Sequence, residues 1–173
     1  MDTNSEPVYS RNVVEFVAVA NEFCKYSEHA SELKGDELLK IFQRILPLMY
    51  LKASLLPQFD PFFEEGNEKF VTESDWLRIH DTFREKFGTA DDYLEVFDDK
   101  MKESEGPVIS SISENMADIY QDMKDFLSLY QKNKYTAKEN AISIVCNHFN
   151  EHWGPEALKA LIALHELNLR LRR

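Results

Sequence analysis

The residues best suited to chemistry in this sequence stand together near its end. His148-Phe149-Asn150-Glu151-His152 fits the H-x-x-E-H spelling of inverted zinc proteases. Two histidines four residues apart share one side of a helix, so both imidazoles can reach one zinc ion, and Glu151 could polarise a bound water. A third ligand must come from elsewhere, and among the 21 residues after His152 the donors are Glu156, Glu166 and, on the next helical pattern, His165. The plainer reading puts His148 on a core stripe with its ring hydrogen-bonded. His152 then lies in a last helical turn, where the helix dipole favours imidazolium. No cofactor is expected on that reading, and a divalent metal is the alternative.

Other groupings invite weaker chemistry. His80-Asp81 within a helix has the doublet of metal-dependent phosphohydrolases, with His29 and Asp118 or Asp122 as companions, but it lacks the small, Gly-containing sequence that usually follows. Asp91, Asp92, Glu95, Asp98 and Asp99 supply oxygens for a hard cation without the ligand spacing or central Gly of a calcium loop. Asp118, Asp122 and Asp125 are four and three residues apart and form an acidic stripe on one helix face. Charge runs of this kind are usually solvated faces. Neither Cys24 nor Cys146 sits in a motif, G-x-S-x-G is absent, and the glycines are too scattered for a phosphate loop. Lys52 lies in an apolar stretch, where burial would depress its pKa unless its head reaches solvent.

A binding role has its own candidates. Phe59, Phe62, Phe63 and Phe70 fall in twelve residues beside Glu64, Glu65 and Glu68, and Tyr93 and Phe97 follow among acids. These aromatics either cap the open end of a helical bundle or present an apolar patch with an acidic rim to a protein partner. The cap is the default, because exposed aromatic surface is costly.

The elements that must position these groups are helices. Apolar residues recur at three and four over about 11 to 31 and again from Gly35-Asp36 to Ala53, where Pro47 predicts a kink or break. Residues 56–72 hold two Pro and one Gly without a sustained period and form the longest loop. Thr72 caps a helix through Trp76, Ile79, Phe83 and Phe87 that Gly88 stops. Asp91 to Asp99 alternates like an extended segment. Pro107 starts a regular stripe to about 131, Thr136 with Glu139 caps a helix that Gly154 ends, and Pro155 begins a sixth helix. The expected architecture is one all-α domain over residues 1–173. It is a bundle of about six helices, with a long Phe-rich loop between helices 2 and 3 and an extended or disordered segment over residues 1–9.

Composition narrows the partners. With 20 Lys+Arg and 31 Asp+Glu the net charge is −11, and residues 60–105 alone carry −9. That field repels phosphate, which argues against nucleic acid and for a basic protein partner. The cluster Arg170, Arg172 and Arg173 is the local exception, and it also makes a favourable cationic end to a last helix. The longest apolar run, Ile45 to Leu51, is far short of the ~20 residues of a membrane span, and Met1 to Asn12 has no apolar signal core. Two isolated cysteines fit reduced, packed thiols in a cytoplasmic protein. A homo-oligomer is compatible with the pattern.

The stretches Pro47-Leu48-Met49-Tyr50-Leu51-Lys52-Ala53-Ser54-Leu55-Leu56-Pro57, Met116-Ala117-Asp118-Ile119-Tyr120-Gln121-Asp122-Met123-Lys124 and His152-Trp153-Gly154 resemble an uncharacterised family of all-helical bacterial proteins known as a domain of unknown function. The resemblance runs from about Val8 to Leu167 and implies a helical, cytoplasmic bacterial protein without an assigned activity. It supplies no catalytic residues. The expectation is therefore a non-enzymatic interaction or adaptor protein with an acidic, aromatic-rich surface. The alternative is a small metal-dependent hydrolase using His, Asp and Glu on helices, and convergence of two or more of His148, Glu151, His152, His165, Asp118 and Asp122 in one concave pocket, within ligand reach of one ion, would put it first.

Overall fold

In the computed structural model, which describes residues 6–60, 68–95 and 106–172, the helical periods become six α-helices and one small ribbon among the described residues. The order is α1 (Arg11–Glu28), α2 (Gly35–Ala53), α3 (Glu73–Phe87), β1 (Asp92–Leu94), β2 (Ile109–Ser111), α4 (Ile112–Tyr130), α5 (Tyr135–His148) and α6 (Gly154–Leu171). The chain is a single all-α domain, as the periodicity predicts. Among the described residues no helix is long and apolar enough to cross a membrane.

The helix with the most regular stripe is the central one. α4 packs against α1, α3, α5 and α6, while α2 closes the other side of α1 and α6. Ile119, Met123 and Phe126 of α4 are buried, and each such side chain contributes about 1.5–3 kcal/mol of transfer free energy. Aromatic rings join the layers. Phe23 meets Phe42 at 5.3 Å, Phe42 meets Phe83 at 5.2 Å, and Phe16 meets Phe126 at 5.2 Å, in tilted and edge-on geometries that the ring quadrupoles favour. Cys24 and Cys146 are free thiols in this interior. Burial raises both pKa values, that of Cys146 to about 11, so neither is a ready nucleophile.

Local departures from the sequence reading have local causes. Pro7–Tyr9 is a 3-10 turn, not an extended segment, because Val8 is fully buried. α1 stops at Glu28 and a separate 3-10 turn covers Ala30–Glu32. α2 runs unbroken through Pro47, which lies on the exposed side, where the lost ladder bond is left to solvent rather than to the core. The stripe expected from Pro107 begins as strand: Leu94 pairs with Ile109 and Asp92 with Ser111, antiparallel. Ser111, not Pro107, starts α4, its side chain accepting from the Glu114 N–H at 3.2 Å. Part of the extended segment read over Asp91 to Asp99 is β1, and residues 96–105 lie outside the described residues.

The junction between α5 and α6 matters most for the site. Gly154 was expected to end a helix, yet a π-helical turn over Phe149–Trp153 carries the chain directly into α6. Gly154 has an ordinary helical φ, so handedness does not require glycine there. A Cβ at that position would lie 2.1 Å from the Phe149 carbonyl oxygen, and only glycine permits that approach.

Candidate functional site

Polar residues on one face of α4 organise the site. Asp118, Asp122 and Asp125 follow Asn115 at helical spacing, and each is held by a different element. The Trp76 indole N–H from α3 donates to Asp118 Oδ1 at 2.8 Å. His148 Nδ1, at the end of α5, lies 2.6 Å from Asp122 Oδ1. The backbone N–H groups of Phe70 and Val71 donate to Asp125 Oδ1 at 2.8 and 2.9 Å. Asn115 accepts from the Tyr93 hydroxyl at 2.6 Å and donates to Glu156 of α6. The acidic stripe is thus a seam that ties α3, the 70–71 loop, α5 and α6 to the central helix.

Burial tunes these groups. Desolvation lifts the Asp118 carboxyl above the usual range, assisted by Glu114, Glu156 and Asp122, while the Trp76 hydrogen bond opposes it. Asp125 is lifted by the same burial and held back by the Val71 and Phe70 N–H groups. His148 is made more basic chiefly by its hydrogen bond to Asp122, against partial burial.

Two hollows flank the Asp122–His148 pair and share it together with Gln121. On one side is a cleft of about 310 Å³ lined by Asp118, Glu151, His152, Trp153 and Glu156. On the other is a cavity of about 360 Å³ with an apolar floor of Phe126, Leu129, Ala141, Ile144 and Val145 and a rim of Glu68, Lys69 and Asp125. The π turn sets the first hollow. It places the His152 ring edge-on to His148 at 5.2 Å and leaves Glu151 exposed.

The structure therefore brings together His148, Glu151, His152, Asp118 and Asp122, five of the six groups whose convergence bears on a metal centre. His165 stands apart on α6, its Nδ1 3.3 Å from the Gln43 side-chain amide of α2. Among the described residues no three His, Cys, Asp or Glu side chains are placed to hold one metal ion. His80 and Asp81 pair with each other at 2.9 Å, with the His80 ring stacked on Trp76 at 5.1 Å. His29 lies beside the Lys25 carbonyl oxygen, and among the described residues no third ligand joins the doublet in a metal-binding group.

The aromatic candidates divide. Phe59 packs against the core and its carbonyl accepts from Ser143 of α5 at 3.1 Å. Phe70 is at the surface under the Lys132 ammonium, 5.4 Å from its ring centre. Tyr93 is half-buried and bonded to Asn115, with burial pushing its pKa up. Phe62, Phe63 and Phe97 lie outside the described residues. Lys52 reaches Glu15 at 2.5 Å and holds that carboxyl below its ordinary range. Sequence reasoning missed Asn115, took Trp76 only as part of an apolar helix face, and took Glu156 only as a spare metal donor. Asn115 stands three residues before Asp118 on the same helix face and was the one signal available.

The crystal structure of protein BF1032 from Bacteroides fragilis is similar to 94% of this chain over 95% of its own, at 33% sequence identity and a TM-score of 0.83. No curated protein matches the chain. The model of the domain of unknown function DUF5063 matches residues 7–170, and the chain belongs to that family.

Proposed function

We propose that this DUF5063 protein is a non-catalytic cytoplasmic interaction protein of bacteria. Its cleft between α4 and the π turn receives a basic group of a protein partner. The observation that carries this reading is the lining of the cleft: Asp118, Asp122, Glu151 and Glu156 converge there with only His148, already paired with Asp122, and His152 as basic groups, and no Lys or Arg is among the lining residues. Lys159 touches Glu156 at 3.3 Å but is shared with Glu95, so the local balance stays acidic. An ammonium or guanidinium entering the cleft finds several carboxylates at once, where each exposed pair is worth ~0.2–1 kcal/mol.

Fluorescence anisotropy with labelled tetralysine tests the reading. Wild-type protein is expected to bind it with an affinity that falls as salt is added, and Glu151→Lys to weaken binding several-fold with thermal stability unchanged. Equal binding by Glu151→Lys would move the interaction away from the cleft.

His148, Glu151 and His152 line the same cleft without being placed around one ion, and a metal-dependent hydrolase that draws them together on metal binding is the second reading. Tight zinc or manganese binding by calorimetry, lost when both histidines become Ala, would put that reading first.

A further inference from the structure

The cleft does not end at the Asp122–His148 pair, because the cavity beyond it has a floor of the opposite character. Phe126, Leu129, Ala141, Ile144 and Val145 face an open volume of about 360 Å³, within the range that accommodates a large apolar group. The two hollows are adjacent along α4: Asp118 lies in one and Phe126 in the other, eight residues and so ~12 Å apart at 1.5 Å per residue. An extended peptide covers ~10 Å in three residues, and a lysine side chain adds further reach.

We infer that the groove recognises a bipartite peptide segment of a partner protein, with a bulky apolar side chain in the Phe126–Val145 cavity and a Lys or Arg about three residues away in the Asp118–Glu156 cleft. The inference rests on the reading of the acidic cleft given above and adds the apolar half of the ligand. Charge complementarity selects this occupant. Both hollows are bordered by the Asp122–His148 pair, and the apolar one by Asp125 and Glu68 against a single Lys69, so carboxylates outnumber ammonium groups at both ends and an apolar ligand carrying an acid is disfavoured. A purely apolar ligand would leave the acidic half unused. Burying an aromatic side chain removes far more apolar surface than the exposed charge pair does, so the apolar contact should dominate affinity while the basic contact sets orientation.

The test compares acetyl-Phe-Ala-Ala-Lys-amide with acetyl-Ala-Ala-Ala-Lys-amide and acetyl-Phe-Ala-Ala-Glu-amide by calorimetry. The Phe/Lys peptide is expected to bind at least tenfold more tightly than either control. Ile144→Glu, which places an acid in the apolar floor, should remove the advantage of Phe while leaving tetralysine binding intact. Glu151→Lys should weaken both the Phe/Lys peptide and tetralysine. If the Ala/Lys peptide binds as well as the Phe/Lys peptide, the bipartite ligand is wrong and the acidic cleft stands. If no lysine peptide binds, both fall. Should Ile144→Glu fail to fold, Ile144→Ala, which enlarges the floor without adding charge, must still reduce the Phe preference.

Discussion

Replacing Gly154 by Ala is expected to destabilise the protein although the residue sits at the first turn of a helix, where Ala normally helps. The gain in helix propensity is ~0.8–1 kcal/mol. Against it stands the added Cβ, which would lie 2.1 Å from the Phe149 carbonyl oxygen and 3.0 Å from the Phe149 ring. The oxygen belongs to the backbone of the π turn, so no rotamer change relieves the contact. Overpacking of this kind costs ~1–3 kcal/mol and sometimes more, and the Phe149 ring it presses on packs 4.8 Å from the ring of the fully buried Trp153. Taking the upper half of that cost, because the contact is with fixed backbone, leaves a net loss of about 1–2 kcal/mol, a fall in Tm of roughly 2–8 °C for a domain of this size. Differential scanning calorimetry reads the change directly. Gly106→Ala is the control, because a Cβ there meets nothing within 4 Å. An unchanged or raised Tm for Gly154→Ala would refute the argument that glycine permits the π turn, and with it the account of how His148 and His152 are positioned.

Other perturbations follow from the same contacts. His148 is more basic in the fold than in the unfolded chain, so its pair with Asp122 stabilises fully below the unfolded value of 6.5, and that contribution fades as pH rises through the raised folded value. Solvent exposure keeps it to ~0.5 kcal/mol. Urea unfolding from pH 6 to 9 should show this loss in wild type and a flatter profile in His148→Gln. Trp76→Phe leaves the desolvated Asp118 carboxylate without its indole donor; a loss of ~1–3 kcal/mol in urea unfolding and a further rise in the Asp118 pKa by NMR titration are expected. Asp91 is fully buried and accepts from the Ser113 N–H and hydroxyl and from Arg84, so Asp91→Ala leaves buried Ser113 donors without their acceptor and should cost ~1–3 kcal/mol, while Arg84, half-exposed, keeps Asp92; a loss under ~0.5 kcal/mol would contradict its role in joining the ribbon to α4.

The helices were legible because apolar residues at three- and four-residue spacing bury one face, as in Met116, Ile119, Met123 and Phe126 of α4. Their ends were less so. Pro107 looks like a helix start, but Ser111 with Glu114 is also a capping pair, and strand pairing of Ile109 with Leu94 decides between them. Gly154 looks like a stop because glycine commonly ends helices, whereas here it serves a close approach that only three dimensions reveal. Within the site, the pairing of H-x-x-E-H with the Asp118 to Asp125 stripe could not be read from spacing. The two motifs meet only because α5 packs on α4. His165 shows the converse, since a plausible third ligand in sequence turns to Gln43 on another helix.

The central claim is that the cleft beside the Asp122–His148 pair recognises a basic group, and ¹⁵N chemical-shift mapping with the Phe/Lys peptide tests it most directly. The account predicts shifts clustered at Asp118, Asp122, Ile144, His148, Glu151 and Glu156, weakened by salt and by Glu151→Lys. Shifts confined to the acidic 68–95 surface, with these residues unmoved, would contradict it.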